Sequence, residues 1–332
     1  MVYVPTPIGC LYASGAFGSG TRLEAEGRGS SGVVKSSEGQ SASAAPSYDR
    51  HSGADGRLPR IWVGLSASAA LLSIIGCIVG LLAPSSIYGE ETTALADAAT
   101  AQDLVGLVVV GPLLLILGVA GARGSLRAWL SWLGLVSFTA YNYAIYTFSV
   151  HFGPLFLVWV AVLGLSLFAL IGGLTALDAS ALRTRLAGSS DRLLGWYLIV
   201  VATLFILLWL SEIVPDLLAG RASTSAGDWD VPTNPVHVLD LAFFLPAVVV
   251  SGVLLLRRHW FGYATVAAQL VFLGLTCLPV LVTPLVAQAR GHTVNWLVML
   301  PIGVLALATL IVLWRFLRTV DERPGGETGE PL

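Results

Sequence analysis

LVGLVVVGPLLLIL, residues 104–117, decides the fold. The stretch carries no charge, no hydroxyl and no amide, and it does not alternate apolar with polar residues as a strand of an outer-membrane barrel would. With its flanks it reaches the length of about 20 residues that a helix rising about 1.5 Å per residue needs to cross about 30 Å of hydrocarbon. One such run could be a buried helix of a soluble protein. Eight in succession could not, and comparable runs recur at 61–83, 103–122, 129–151, 155–177, 194–214, 237–256, 260–287 and 296–317. The expected fold is therefore all-α, a polytopic transmembrane bundle of about eight helices spanning 59–320.

Composition agrees. Of the residues, 55% are hydrophobic and only 11% charged, against about a quarter charged in soluble domains. A formal net charge of −2 gives no reason to expect nucleic acid; membrane lipids are the partners the composition implies. Cys10, Cys77 and Cys277 have neither CxxC nor Cys/His spacing, so no disulfide framework, metal site or other cofactor is expected. Residues 1–58, rich in Ser, Gly and Ala, read as a disordered cytoplasmic leader, with a misassigned start codon as the alternative. No basic residue precedes Arg22, so a secretory signal is not expected. Residues 321–332 read as a polar cytoplasmic tail.

Short cytoplasmic loops retain arginine. Arg57 and Arg60 precede the first run, Arg123 and Arg127 follow the second, and Arg183, Arg185 and Arg192 follow the fourth. Arg257 and Arg258 follow the sixth, and Arg315, Arg318 and Arg323 close the eighth. The opposite connections hold only Arg221 and Arg290, with Glu90, Glu91, Asp97, Asp216, Asp228 and Asp230. Both termini are thus expected in the cytoplasm of a cell-membrane protein. Trp62, Trp129, Trp132, Trp196, Trp260 and Trp314 fall at the inner ends of the runs and Trp209, Trp229 and Trp296 near the outer ends, as an interfacial belt requires.

The second and sixth runs share punctuation. Pro112, Gly118 and Arg123 recur at the same offsets as Pro246, Gly252 and Arg257. Arg60 and Pro84 bracket the first run as Arg192 and Pro215 bracket the fifth. Two parallel four-helix repeats, 59–190 and 191–320, would explain this, related by an axis along the membrane normal; the common use of Pro, Gly and Arg at such places is the alternative. Gly76 and Gly80 form a GxxxG that suits close helix packing. Pro279 and Pro284 make the seventh run the expected site of a broken helix.

Polar groups within the runs gather toward one end: Gln102, Asp103, Tyr141, Asn142, Tyr143, Tyr146, His151, Glu212, His237, Asp240, and also Gln269 and Asn295. An ionisable side chain at membrane depth costs about 2.5–3.5 kcal/mol on insertion scales and faces a cavity or a partner. Asp240, His237, Asn142, Tyr143, His151, Asp103 and Glu212 are therefore the candidate residues of an outward-opening site for a small molecule or ion, with Asp240 foremost. Each has a plainer reading. Asp103, His237 and Asp240 sit where a helix N-terminus is expected, Glu212 could reach the headgroups, the tyrosines could anchor at the interface, and His151 neighbours a Gly-Pro turn.

Several chemistries lack their motifs: there is no GxxxxGK[ST], HExxH or GxSxG, and no GxGxxG after a strand. The sole lysine, Lys35, lies in the leader and cannot form a buried Schiff base. A zinc-dependent hydrolase would need His151, His237, His292, Asp240 and Glu212 to converge without any HxxxH or HxxE pair on one helix.

At YNYAIY (141–146), HFGPLFL (151–157) and NPVHVLDLAFFLP (234–246), the chain resembles a group of uncharacterised bacterial polytopic membrane proteins. The resemblance spans about 60–318 and implies fold and membrane location without an activity. Transport of a small solute or ion is the first functional expectation. A membrane-embedded enzyme acting on a lipid or lipid-linked substrate is the second, and a non-catalytic assembly or sensory subunit the third.

Overall fold

A computed structural model describes residues 57–179, 182, 191–294 and 296–320. The leader, apart from Arg57 and Leu58, and the tail lie outside the described residues, as does Asn295. The described residues form helices and no strand: α1 (Arg60–Leu82), the short α2 (Pro84–Ile87), α3 (Thr93–Ala122), α4 (Leu126–Ser149), α5 (Phe156–Thr175), α6 (Asp191–Leu218), the short α7 (Thr224–Asp228), α8 (Pro235–Leu256), α9 (Trp260–Ala289) and α10 (Met299–Thr319). The chain is an all-α polytopic bundle, and eight of these helices are long.

Seven of the eight, all but α4, are long and apolar enough to cross a membrane. Their outward faces carry the exposed apolar side chains that lipid would cover, among them Leu71 and Ile75 on α1, Leu204 and Leu207 on α6, and Leu307 and Leu310 on α10. The sequence counts α4 as a span like the rest. It is as long, but 17 of its 24 residues are buried, so neighbouring helices rather than lipid surround it. That position explains its composition. The Trp132 indole donates to Ser66 Oγ (3.1 Å) and the Tyr143 hydroxyl to Ser73 Oγ (2.8 Å), so polar groups that lipid would strand are satisfied by α1.

Two helices are interrupted in the same manner. In α3 a π turn at Gly106–Val110 sends the Gly111 amide back to the Gly106 carbonyl; in α8 a π turn at Asp240–Phe244 does the same between Leu245 and Asp240. A proline stands two residues beyond each, Pro112 and Pro246. Proline offers no N–H and its ring crowds the carbonyl four residues back, and widening the preceding turn relieves that crowding. Each feature of α8 lies 134 residues after its counterpart in α3, down to the C-terminal Arg123 and Arg257. The sequence placed the broken helix at Pro279 and Pro284, yet α9 runs unbroken through both, and Thr283 Oγ1 donates to the Pro279 carbonyl (2.7 Å). Likewise α6 continues past Pro215 to Leu218.

Close approach is bought by glycine at α6 and α8, where a Cβ on Gly195 would lie 2.9 Å from the Gly252 carbonyl and one on Gly252 2.8 Å from the Gly195 carbonyl. At one end of the bundle three connections are tied to one another and a fourth to α3. Glu91 binds His151, Thr92 Oγ1 donates to the Asp228 carbonyl (2.8 Å), and Asp97 receives Arg290 (2.9 Å) and His292 (2.6 Å).

Candidate functional site

This tied end holds a cavity of about 340 Å³. Its walls come from α3, α4, α6, α8 and α9, and residues of the 219–234 connection, Ser225, Asp228, Trp229 and Asn234, border it. Most of the lining is apolar, including Leu95, Phe138, Ile145, Val236 and Val280. Among the polar residues of the lining are Gln102, Asn142, Tyr146, Glu212, Asp228 and His237, with Tyr141, Asn234 and the hydroxyls of Ser225, Thr276 and Thr283 beside them. Such a chamber, with a mostly apolar surface and polar groups placed around it, has the character of a small-molecule site.

Local structure sets each group. Asn234 caps α8, its side chain accepting from the Val236 amide (2.9 Å), which fixes His237 in the first turn. The His237 imidazole packs against the Trp209 ring at a centroid distance of 4.6 Å, and its Nε2 lies 3.4 Å from Glu212 Oε2. Trp209 and Glu212 are three residues apart on α6 and so share a face. The Trp209 indole also donates to Asp240 Oδ2 (2.8 Å), while the Tyr141 hydroxyl from α4 donates to Oδ1 (2.8 Å). Asp240 does not line the cavity itself; it sits behind the wall that Trp209 and Tyr141 form.

A recess of about 10 Å³, room for about one water, adjoins the cavity and shares Gln102, Phe138, Asn142 and Tyr146 with it. Asp103 and Tyr143 line this recess with Ser73 and Cys77. The Asp103 carboxylate accepts from the hydroxyls of Tyr88 (2.6 Å) and Tyr146 (2.9 Å). Gly80 makes room for it, because a Cβ there would collide with Asp103 and the Tyr88 hydroxyl.

The seven residues singled out from sequence therefore divide. Asn142, Glu212 and His237 line the cavity, Asp240 backs it, and Asp103 and Tyr143 line the recess. His151 does not join them: it is exposed, its Nδ1 3.0 Å from Glu91 and its amide donating to the same carboxylate. Glu91 beside it holds the imidazole pKa above its ordinary value. Asp103 is not a helix cap either, since α3 begins at Thr93 with Thr92 as its cap, accepting from the Leu95 amide. By sequence Trp209 falls among the interfacial tryptophans, but its spacing to Glu212 is the signal that places it in the site. Among the described residues, no group of three or more His, Cys, Asp or Glu side chains is placed to hold a metal ion.

No family model, curated protein or solved structure matches the chain.

Proposed function

We propose that this integral membrane protein binds and transports a small, largely apolar solute through the cavity at the tied end of the bundle. The cavity carries the reading: it gathers α3 and α4 from one half of the chain and α6, α8 and α9 from the other around one group of polar residues. The matched π turns support it, because both π-interrupted helices contribute to its walls and π bulges concentrate at functional sites. We read the two halves, 59–190 and 191–320, as parallel repeats on the strength of the common offset of π turn, proline and terminal arginine. On the strength of the arginine bias we read the cavity end as outside and both termini as cytoplasmic.

Flux into proteoliposomes over a panel of small amphiphilic solutes tests the transport. Uptake that is lost in Asn142→Leu is the expected result, and no flux for any solute would overturn it. Orientation is tested with Ser225→Cys and an impermeant maleimide: labelling in intact cells supports it, and labelling only after lysis reverses it. A second reading, a membrane-embedded enzyme acting on a lipid-like substrate, is favoured by one feature. His237 and Glu212 form an acid–base pair beside an apolar chamber.

A further inference from the structure

The charge on the cavity wall is one-sided. Glu212 and Asp228 line it, and no arginine or lysine does among the described residues. The two arginines at this end are engaged elsewhere: Arg221 Nη2 lies 2.6 Å from Asp216 and Arg290 Nη1 2.9 Å from Asp97. Recognition of phosphate, carboxylate or sulfonate relies on guanidinium or ammonium donors, so the cavity lacks what an anionic headgroup requires. It has instead what an organic cation requires. The Glu212 side chain is 46% exposed and its partner His237 only 8%, so the carboxylate rather than the imidazole meets whatever enters. Trp209 and Trp229 supply aromatic walls, and Asp240 adds a third carboxylate behind the Trp209 indole. The negative face of an indole ring attracts a desolvated cation.

We propose that the cavity selects a small monovalent organic cation with an apolar body, Glu212 acting as its counter-charge and Trp209 and Trp229 as its aromatic cage. The proposal rests on the cavity being a ligand site and deepens that reading by naming the class of ligand.

Three compounds of similar size separate charge from shape: phenyltrimethylammonium, the neutral 2-phenyl-2-propanol and the anionic benzenesulfonate. Each is titrated calorimetrically into the full chain in nanodiscs of zwitterionic lipid, with empty nanodiscs as background. Phenyltrimethylammonium should bind at least about tenfold more tightly than the neutral compound, a difference of about 1.4 kcal/mol, and benzenesulfonate should be the weakest. Glu212→Gln, a change at a half-exposed side chain, should abolish the advantage of the cation over the neutral compound. Equal affinities, a preference for the anion, binding of none of the three, or an undiminished preference in Glu212→Gln would each overturn the proposal. Selective cation binding without flux in proteoliposomes would instead overturn transport alone.

Discussion

The two π-interrupted helices carry the same backbone device and surround it with opposite chemistry. In α3 the buried carboxylate, Asp103, lies three residues before the π turn, in a recess of about 10 Å³ beside Tyr88, Tyr143, Tyr146 and Ser73. In α8 it is the first residue of the π turn, and its two donors, Tyr141 and Trp209, face a cavity of about 340 Å³. Of the two donors to Asp103 only Tyr146 reaches the large cavity and Tyr88 is sealed from it, whereas both donors to Asp240 border the open chamber. The physical consequence concerns water. A donor that loses its carboxylate next to a cavity can be rehydrated, whereas one sealed in the bundle is left unsatisfied.

The strongest test of that contrast makes the same substitution in both halves. Asp103→Ala strands the Tyr88 hydroxyl, which borders neither cavity nor recess, and should cost about 3 kcal/mol. Asp240→Ala should cost about 1 kcal/mol, since Tyr141 and Trp209 remain within reach of cavity water. Unfolding by SDS titration in mixed micelles measures both. Equal costs would erase the distinction between a structural and a functional carboxylate.

A smaller effect sharpens the comparison at the partner helices. Gly80 and Ser211 each lie four residues before a proline, Pro84 and Pro215, in α1 and α6. A Cβ at Gly80 meets Asp103 and Tyr88, whereas Ser211 is exposed and its hydroxyl donates to its own helix at Leu208 (2.7 Å). Gly80→Ala should therefore destabilise by about 2 kcal/mol through overpacking, and Ser211→Ala should stay within about 0.5 kcal/mol. The same titration reads both, and a tolerated Gly80→Ala would mean that the recess is not tightly closed.

The span pattern was legible because hydropathy acts over about 20 residues and does not depend on which neighbour a helix finds. Features that depend on neighbours were not. The first turns of α3, TALADAATAQD at 93–103, are too polar to read as a span, yet Leu95, Asp97, Ala99 and Asp103 are buried against other elements. Missing that segment turned Asp103 into an expected cap. The prolines announced a disturbance in α3 and α8 but not its kind, because a π turn is a change of hydrogen-bond register and leaves no compositional trace. Pro279 and Pro284 look no different in sequence, and α9 accommodates both without a break. Asn142, Glu212 and His237 were found because each is costly in lipid, whereas Trp209 was assigned to the interface because an indole is at home in both places.

The smallest expected effect lies at His151, the one candidate that the structure separates from the site. Its imidazole binds Glu91 across the same end of the bundle, and the hydrogen bond to that carboxylate is the main cause that raises its pKa. The sign follows from the direction. A group whose pKa is raised on folding stabilises the folded state fully below its unfolded value, about 6.5 for histidine, and loses that contribution as pH rises through the raised value. The pairing of the 83–92 and 150–155 connections should therefore be firmest in mildly acidic solution and loosen as the pH becomes alkaline. Because the His151 side chain is about half exposed, screening keeps the effect on stability small. Histidine-ring NMR checks it directly: the His151 titration should move to lower pH in Glu91→Gln, while the cavity residues keep their resonances. An unmoved midpoint would mean that Glu91 holds the loop through the His151 amide alone, and a cavity that responds to the change would bring His151 back into the site.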